Sequence, residues 1–167
     1  MYDKPLNVSV EQAKLLGNSL RIKIISQLID KPKTSKQVAE LLGQSPGNVH
    51  YHIKKLYDGG LIELVEERQF GGVTEKYYKS KAKWFNSEGD TSIDPVLNDD
   101  FPSRDSTLLS LRLNLTPDQQ EEIKEEFRKF LEKWVVKTSV SDYSEADEFS
   151  IGVKIVSAKQ KTEDEQE

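Results

Sequence analysis

Apolar residues in the first half of the chain recur three and four positions apart, which is the spacing of helices that bury one face. Capping residues and glycines bound these segments. The spacing predicts helices over 10–16, over 19–29, in a short segment capped by Thr34-Ser35, and over 46–57. The positions expected in their core are Leu20, Ile24, Ile25, Leu28, Val38, Ala39, Leu41, Leu42, Val49, Ile53 and Leu56.

Alternation replaces the helical spacing after Gly59-Gly60. Residues 61–66 place their side chains on alternate faces, and residues 73–79 do so again. The turn signal Phe70-Gly71-Gly72 lies between the two segments, so the pattern predicts a β-hairpin.

Two short helices joined by a glycine turn and followed by a hairpin have the layout of a winged helix-turn-helix. A DNA major groove about 12 Å wide admits one α-helix. The helix over 46–57, with its polar and basic surface, is therefore the candidate reading helix. The hairpin tip, over 66–76, is the candidate wing.

The second half of the chain predicts a strand, a helix and a strand. Leucines alternate over 107–115, an amphipathic helix follows over 116–137, and apolar residues alternate again over 148–157. The apolar stripe of this helix contains Ile123, Phe127, Phe130, Leu131, Trp134 and Val135. The expected fold class is α+β, with a winged helix-turn-helix domain followed by a small strand-helix-strand C-terminal module.

A module of about fifty residues with one helix and two strands is too small to be comfortably stable alone. We expect it to pack against a second copy of the chain, the DNA-binding half or another protein. A homodimer is the most economical choice, because winged-helix readers commonly bind two symmetric half-sites. Alternatively, Trp134 and the phenylalanines line a pocket for a small-molecule effector. The stripe is thus a dimerisation or effector surface.

Charge is distributed unevenly along the 167 residues, whose net charge is −5. Residues 1–85 hold 14 Lys and Arg against 9 Asp and Glu, whereas residues 86–167 hold 10 against 20. This asymmetry is typical of a basic nucleic-acid module joined to an acidic appendage, although charge also serves solubility. We expect a DNA-binding domain over 1–85, an acidic linker over 86–106, the C-terminal module over 107–157 and a disordered charged tail over 158–167.

Composition excludes several classes of protein. The chain has no cysteine, which removes disulfide scaffolds, thiolate metal sites and cysteine nucleophiles. No apolar run approaches the roughly 20 residues of a membrane-spanning helix, and the N-terminus does not resemble a secretion signal, so we expect a cytoplasmic protein. No catalytic constellation is evident, and we expect neither an enzyme nor a cofactor.

Five segments, in their order and spacing, resemble the ArsR-like winged helix-turn-helix transcription regulators. They are residues 16–25 (LGNSLRIKII), 38–45 (VAELLGQS), 47–56 (GNVHYHIKKL), 59–62 (GGLI) and 71–79 (GGVTEKYYK). The resemblance covers about half the chain and implies a winged-helix fold and DNA binding. Several members sense metals through cysteines or through His and carboxylate clusters. Here His50 and His52 lie about 200° apart on one helix and cannot converge on one metal, so no metal site is expected.

The candidate DNA contacts lie on the reading helix, at the start of the preceding helix and in the wing. Side chains on the reading helix can contact base edges or phosphates, and wing cations can approach the minor groove. For His52 the resemblance implies a place near the DNA backbone, and a packed histidine is the alternative. Ser35 has a sufficient role as a helix cap. The candidates are Ser35, Gln37, Ser45, Gly47, Asn48, His50, Tyr51, His52, Lys54, Lys55, Arg68, Gln69 and Lys76.

The sequence thus predicts a DNA-binding transcription regulator, expected to be a dimeric repressor that reads a palindromic operator. Two rival functions remain open. In the first, the protein is a winged-helix interaction adaptor without sequence-specific DNA binding, since a fold does not fix a function. Alternatively, paired carboxylates of the acidic half serve as catalytic acid and base, although these acids fall at solvent-facing or linker positions.

Overall fold

The computed structural model describes residues 5–87, 95–98, 100–139 and 146–157. The expected tail over 158–167 lies outside these residues. The helices are α1 (Val10–Leu16), α2 (Ser19–Gln27), α3 (Ser35–Leu42), α4 (Pro46–Asp58) and α5 (Pro117–Thr138). The strands are β1 (Leu6–Val8), β2 (Ile62–Phe70), β3 (Val73–Ser80) and β4 (Phe85–Ser87), and Pro95–Leu97 form a single 3₁₀ turn. The predicted helices and hairpin of the first half are confirmed, although α2 ends two residues early.

Side-chain caps fix the starts of the helices. Ser9 and Thr34 each form a capping box. The cap hydroxyl accepts the backbone N–H of a glutamine three residues later, and the side chain of that glutamine accepts the backbone N–H of the cap residue. Asn18 caps α2 and Ser45 caps α4. Gly43 ends α3 with φ 60°, the left-handed conformation that glycine tolerates best. The turn between α3 and α4 is therefore encoded locally.

The core lies where α2, α3 and α4 meet the base of the hairpin. Ile24 and Ile25 of α2 and its C-cap residue Leu28 are buried with Val49, Ile53 and Leu56 of α4, as predicted, and Leu61 and Ile62 close the layer. The prediction for Leu41 is wrong, because half of this side chain is exposed. Val38, Ala39 and Leu42 fill the inner face of α3, and Leu41 points about 100° to one side of them.

Strands β2 and β3 pair antiparallel and join through Gly71 and Gly72. Both glycines have positive φ, 55° and 83°, which a two-residue hairpin turn favours because its twist then matches that of the strands. The backbone of Lys33, between α2 and α3, exchanges two hydrogen bonds with Tyr78 (3.0 and 2.9 Å). This bridge holds the hairpin against the helices.

Strands β1 and β4, which the sequence reading missed, pair parallel next to the helical core. Each has three residues, with Leu6 opposite Phe85 and Val8 opposite Ser87. Val8 is buried and Phe85 packs against the core cluster. The chain on both sides of the helix-turn-helix is thereby tied to one layer.

Helix α5 confirms the long amphipathic helix, but the strands expected on either side of it are wrong. Residues 107–115 and 148–157 form no strand. Their alternating apolar side chains stay exposed, Leu109 by 88% and Phe149 by 85%. A strand requires a neighbouring backbone to complete its hydrogen bonds, and the described chain pairs neither segment with one.

Helix α5 and the segment over 146–157 nevertheless contact other parts of the chain. Lys83, just before β4, forms an ion pair with Glu132 of α5 (Nζ–Oε1 2.7 Å), and α5 contacts α2. Gly152 lies so close to Val96 and Leu97 that a Cβ there would come within 2.6 Å of both side chains. The ion pair and the contact with α2 position α5 beside the helices of the first half.

Candidate nucleic-acid interface

Helix α4 has one face in the core and the other in solvent. Val49, Ile53 and Leu56 are fully buried, and they recur at the i, i+4, i+7 spacing of a single stripe. Gly47, Tyr51 and Lys54 follow the same spacing on the opposite side and are exposed. The core thus holds α4 by one side and presents the other as a continuous surface.

Asn48, His50 and Lys55 flank this line and are also exposed. The Lys55 ammonium lies 5.7 Å from the ring centroid of Tyr51, within the range of a cation–π contact. The amide of Asn48 donates a long hydrogen bond of 3.5 Å to Gln44 Oε1. The exposed face therefore combines two cations with amide and ring groups, the chemistry that contacts phosphates and base edges.

The start of α4 combines a cap with an open surface. Ser45 Oγ accepts the N–H of Asn48 at 3.3 Å, so its hydroxyl already has a structural role. Apart from the adjacent residues and the backbone of its own helix, no described atom lies within 4 Å of where a Cβ of Gly47 would be. A glycine here leaves room for another molecule to approach the backbone closely.

At the start of α3, Lys36 and Gln37 are exposed and Ser35 is half-buried. The side chain of Gln37 accepts the N–H of Thr34 at 2.9 Å, which completes the capping box and occupies its oxygen. Lys36 is exposed between the two predicted contacts, and the sequence reading missed it. Its positive charge beside the free N–H groups of a helix start was the available signal.

His52 differs from the other polar residues of α4. Its Nδ1 is buried without a hydrogen-bond partner in the described chain, and its ring meets Tyr51 edge-on at 5.2 Å. Burial, with a smaller contribution from the positive charge of Arg21, lowers the pKa of His52 below its ordinary value of 6.5. The structure thus places His52 at the boundary between α4 and α2, away from the exposed line.

The wing carries its cations in ion pairs. Arg68 binds Glu66 through two hydrogen bonds of 2.7 and 2.8 Å, and its guanidinium lies 4.6 Å from the ring centroid of Tyr77. Lys76 pairs with Glu67 at 3.3 Å. Gln69 donates to Thr74 Oγ1 at 2.7 Å. Contact with DNA would have to replace these interactions.

The tip of the wing is apolar, which the sequence reading did not single out. Phe70 and Val73 flank the two turn glycines and are largely exposed. The signal in the sequence was the pair of apolar residues next to the turn glycines. The last cross-strand pair of a hairpin has no layer of side chains beneath it, so apolar residues there stay exposed. The tip therefore offers apolar contact where the neighbouring strands offer paired charges.

The helix stripe of the C-terminal half divides between two surroundings. Ile123 lines an open groove of about 650 Å³ together with Leu113, Leu115, Ile155 and Val156. Phe127, Phe130 and Trp134 do not line this groove and are 39%, 52% and 42% exposed. Leu131 is half-buried.

The described residues contain neither a metal-binding cluster nor a membrane-spanning helix. None of their His, Asp and Glu side chains form a cluster of three or more that could hold a metal ion. None of their helices is long and apolar enough to cross a membrane.

Comparison with known proteins identifies one part of the chain. A family model described as a helix-turn-helix domain matches residues 16–65, from the end of α1 into β2. The match includes the turn at Gly43 and the whole of α4. No curated protein matches the chain. The match supports DNA as the partner of this region and transcriptional regulation as its role.

Proposed function

We propose that this protein, whose residues 16–65 form a helix-turn-helix domain, is a sequence-specific DNA-binding regulator of transcription with the character of an ArsR-like repressor. Helix α4 enters the major groove and contacts base edges and phosphates through Asn48, His50, Tyr51 and Lys54. The protein acts as a homodimer on a palindromic operator, and it regulates by binding rather than by catalysis.

One observation carries this proposal. Helix α4 is fixed to the core by three fully buried residues, while its exposed line faces solvent within a matched helix-turn-helix. A reading helix requires this combination, because base contacts need a surface held in fixed register on the DNA.

The charge distribution supports the same function. The winged-helix half has five more cations than acids, although the whole chain is acidic. Phosphate contacts supply the affinity that is independent of sequence, and the acidic second half weakens indiscriminate attachment. Specific binding then depends on the contacts of α4.

The decisive experiment selects bound duplexes from a random pool. We expect one enriched site made of two inverted half-sites about one turn of DNA apart. Binding to this site should weaken steeply between 50 and 200 mM salt, because phosphate contacts release counterions. A pool that shows no enrichment, with no binding at low salt, would refute the proposal.

Single substitutions test the assigned face. Lys54→Ala should weaken binding to all duplexes and lower the salt slope by about 1, whereas Asn48→Ala should change the base preference at one position. Lys129→Ala is the matched control, since it removes an exposed lysine from α5. Unchanged binding in both α4 variants would show that another face contacts DNA.

The wing favours a second candidate function. Arg68 and Lys76 are paired with acids, and the tip presents Phe70 and Val73. An apolar tip between neutralised cations suits a protein partner, as an interaction adaptor would need. Loss of a protein contact without loss of operator binding in Phe70→Ser would assign the wing to that role.

A further inference from the structure

Helix α5 carries an exposed aromatic ridge, formed by Phe127, Phe130 and Trp134. These residues recur at i, i+3 and i+7, so they lie along one side of the helix, and each side chain is 39–52% exposed. The opposite side of α5 contacts the winged-helix half, where Glu132 pairs with Lys83. The ridge is therefore not the surface that holds α5 in the fold.

The charges of α5 are divided between its two ends. The first half, 117–127, holds five acids and one lysine, whereas the second half, 128–138, holds four cations and one glutamate. Such a helix complements a second copy of itself that runs in the opposite direction. A parallel copy would place like charges beside each other and be repelled.

The same division appears directly beside the ridge. Glu122 and Glu126 flank its first half on one side, and Lys133 and Lys137 flank its second half on that same side, at about 100° per residue. All four residues are exposed. The ion pairs within 4 Å in the described chain involve none of Glu122, Glu126 and Lys133.

We infer that the aromatic ridge of α5 is a self-association surface, on which α5 of a second copy packs antiparallel. Phe130 lies beside the two-fold axis and meets Phe130 of the partner subunit. Phe127 then contacts Trp134 of the partner subunit. In the same register Glu126 faces Lys133 of the partner subunit, and Glu122 faces Lys137 of the partner subunit.

This register identifies the partner of the ridge as a second copy of the chain. A two-fold interface uses the same patch on both subunits, so the patch must complement itself. Here one register joins aromatic to aromatic and acid to base at every position named. The inference deepens the proposed function, because it names the partner surface of the dimeric reader and rests on that proposal.

Charge reversal in the full-length protein tests the register. Wild-type protein should show a concentration-dependent monomer–dimer equilibrium in sedimentation without DNA. Glu126→Lys and Lys133→Glu should each raise the dimer dissociation constant about fivefold or more, since each turns two attractive pairs into repulsive ones. The double variant should return to near the wild-type value, because the opposite charges face each other again.

A matched control lies on the other side of the same helix. Glu121→Lys reverses an acid at an exposed position away from the ridge and should leave the dissociation constant within about twofold. Equal effects of ridge and control variants would overturn the inference. So would a wild-type protein that stays monomeric at all concentrations, or a double variant that fails to recover.

Cross-linking gives a second measurement that does not depend on affinity changes. The chain has no cysteine, so Phe130→Cys introduces a single thiol beside the proposed axis. Oxidation should join two such chains, because Cα atoms about 6 Å apart allow a disulfide. Glu121→Cys should remain uncross-linked. Cross-linking of the Glu121→Cys protein but not of the Phe130→Cys protein would place the interface on the opposite side of α5 and overturn the inference.

Failure of this inference is distinguishable from failure of the proposed function. Operator binding by a protein that stays monomeric would overturn the α5 interface and leave DNA reading intact. A dimer that passes the charge-reversal and cross-linking tests but selects no duplex would overturn DNA reading and leave the interface intact.

Discussion

The two halves of the molecule treat their apolar residues in opposite ways. In the winged-helix half, residues 5–87, the stripes of α2, α3 and α4 and the base of β2 close over one another, and their central residues have almost no exposure. In the second half, the aromatic side chains of α5 are about half exposed and the alternating segments beside it are largely exposed. The same kind of pattern therefore builds a core in one half and a surface in the other.

The largest expected difference between the halves is the cost of losing one leucine. Leu56→Ala should lower the free energy of unfolding by about 2–5 kcal/mol, because it leaves a cavity in the core. Leu109→Ala, at an exposed position, should change it by no more than about 0.5 kcal/mol. Urea unfolding of both variants at low protein concentration measures the two losses in the free energy of unfolding. Equal losses would contradict the difference between the halves.

A smaller effect tests how α4 is positioned. Gly43→Ala should lower the free energy of unfolding by about 1 kcal/mol, because an L side chain strains the left-handed turn before α4. Gly47→Ala is the control, since its φ is not positive and no described atom lies nearby. Thermal unfolding should show no loss for the control. Equal losses in the two variants would show that the left-handed conformation of Gly43 does not account for the effect.

The ion pair between Lys83 and Glu132 tests the connection between the halves. A double-mutant cycle with Lys83→Ala and Glu132→Ala should give a coupling free energy of about 0.2–1 kcal/mol, which is modest because both side chains are more than a third exposed. Chemical unfolding of the three variants and wild type provides the cycle. A coupling of zero would mean that α5 does not rest on the winged-helix half through this pair.

The smallest expected effect concerns pH. Burial lowers the pKa of His52 in the folded state, so the unfolded chain binds a proton more readily as pH falls through 6.5. The free energy of unfolding should therefore decrease below about pH 6.5 until the folded-state pKa is reached. His52→Gln should reduce this slope, whereas His50→Gln, at an exposed position, should retain it. Equal slopes in both variants would exclude His52 as the cause.

The winged-helix half was predictable because its signals are local. Ser9, Thr34 and Ser45 cap the helices that they were expected to start or precede, and Gly71-Gly72 turn the hairpin. The exposed surface of α4 was predictable for the same reason, because periodicity separates Val49 and Ile53 from the polar positions.

Other features depend on contacts that the sequence pattern does not contain. Strands β1 and β4 exist because two three-residue segments, far apart in sequence, meet. His52 lies about 60° from the buried stripe of α4, and the packing of the chain around it buries its Nδ1. The acids that pair with Arg68 and Lys76 depend on the conformation of the hairpin.

The sequence by itself determined where the helices of this protein begin, where the hairpin turns and which residues of α4 face away from the core, because caps, glycines and periodicity act over a few residues. Tertiary structure alone decided which apolar stripes are buried. Burial needs a second surface, and the described residues cover the apolar stripe of α4 completely but leave the aromatic ridge of α5 partly exposed. The alternating segments beside α5 remain without strand partners for the same reason, since a strand is completed by a neighbour and not by its own pattern.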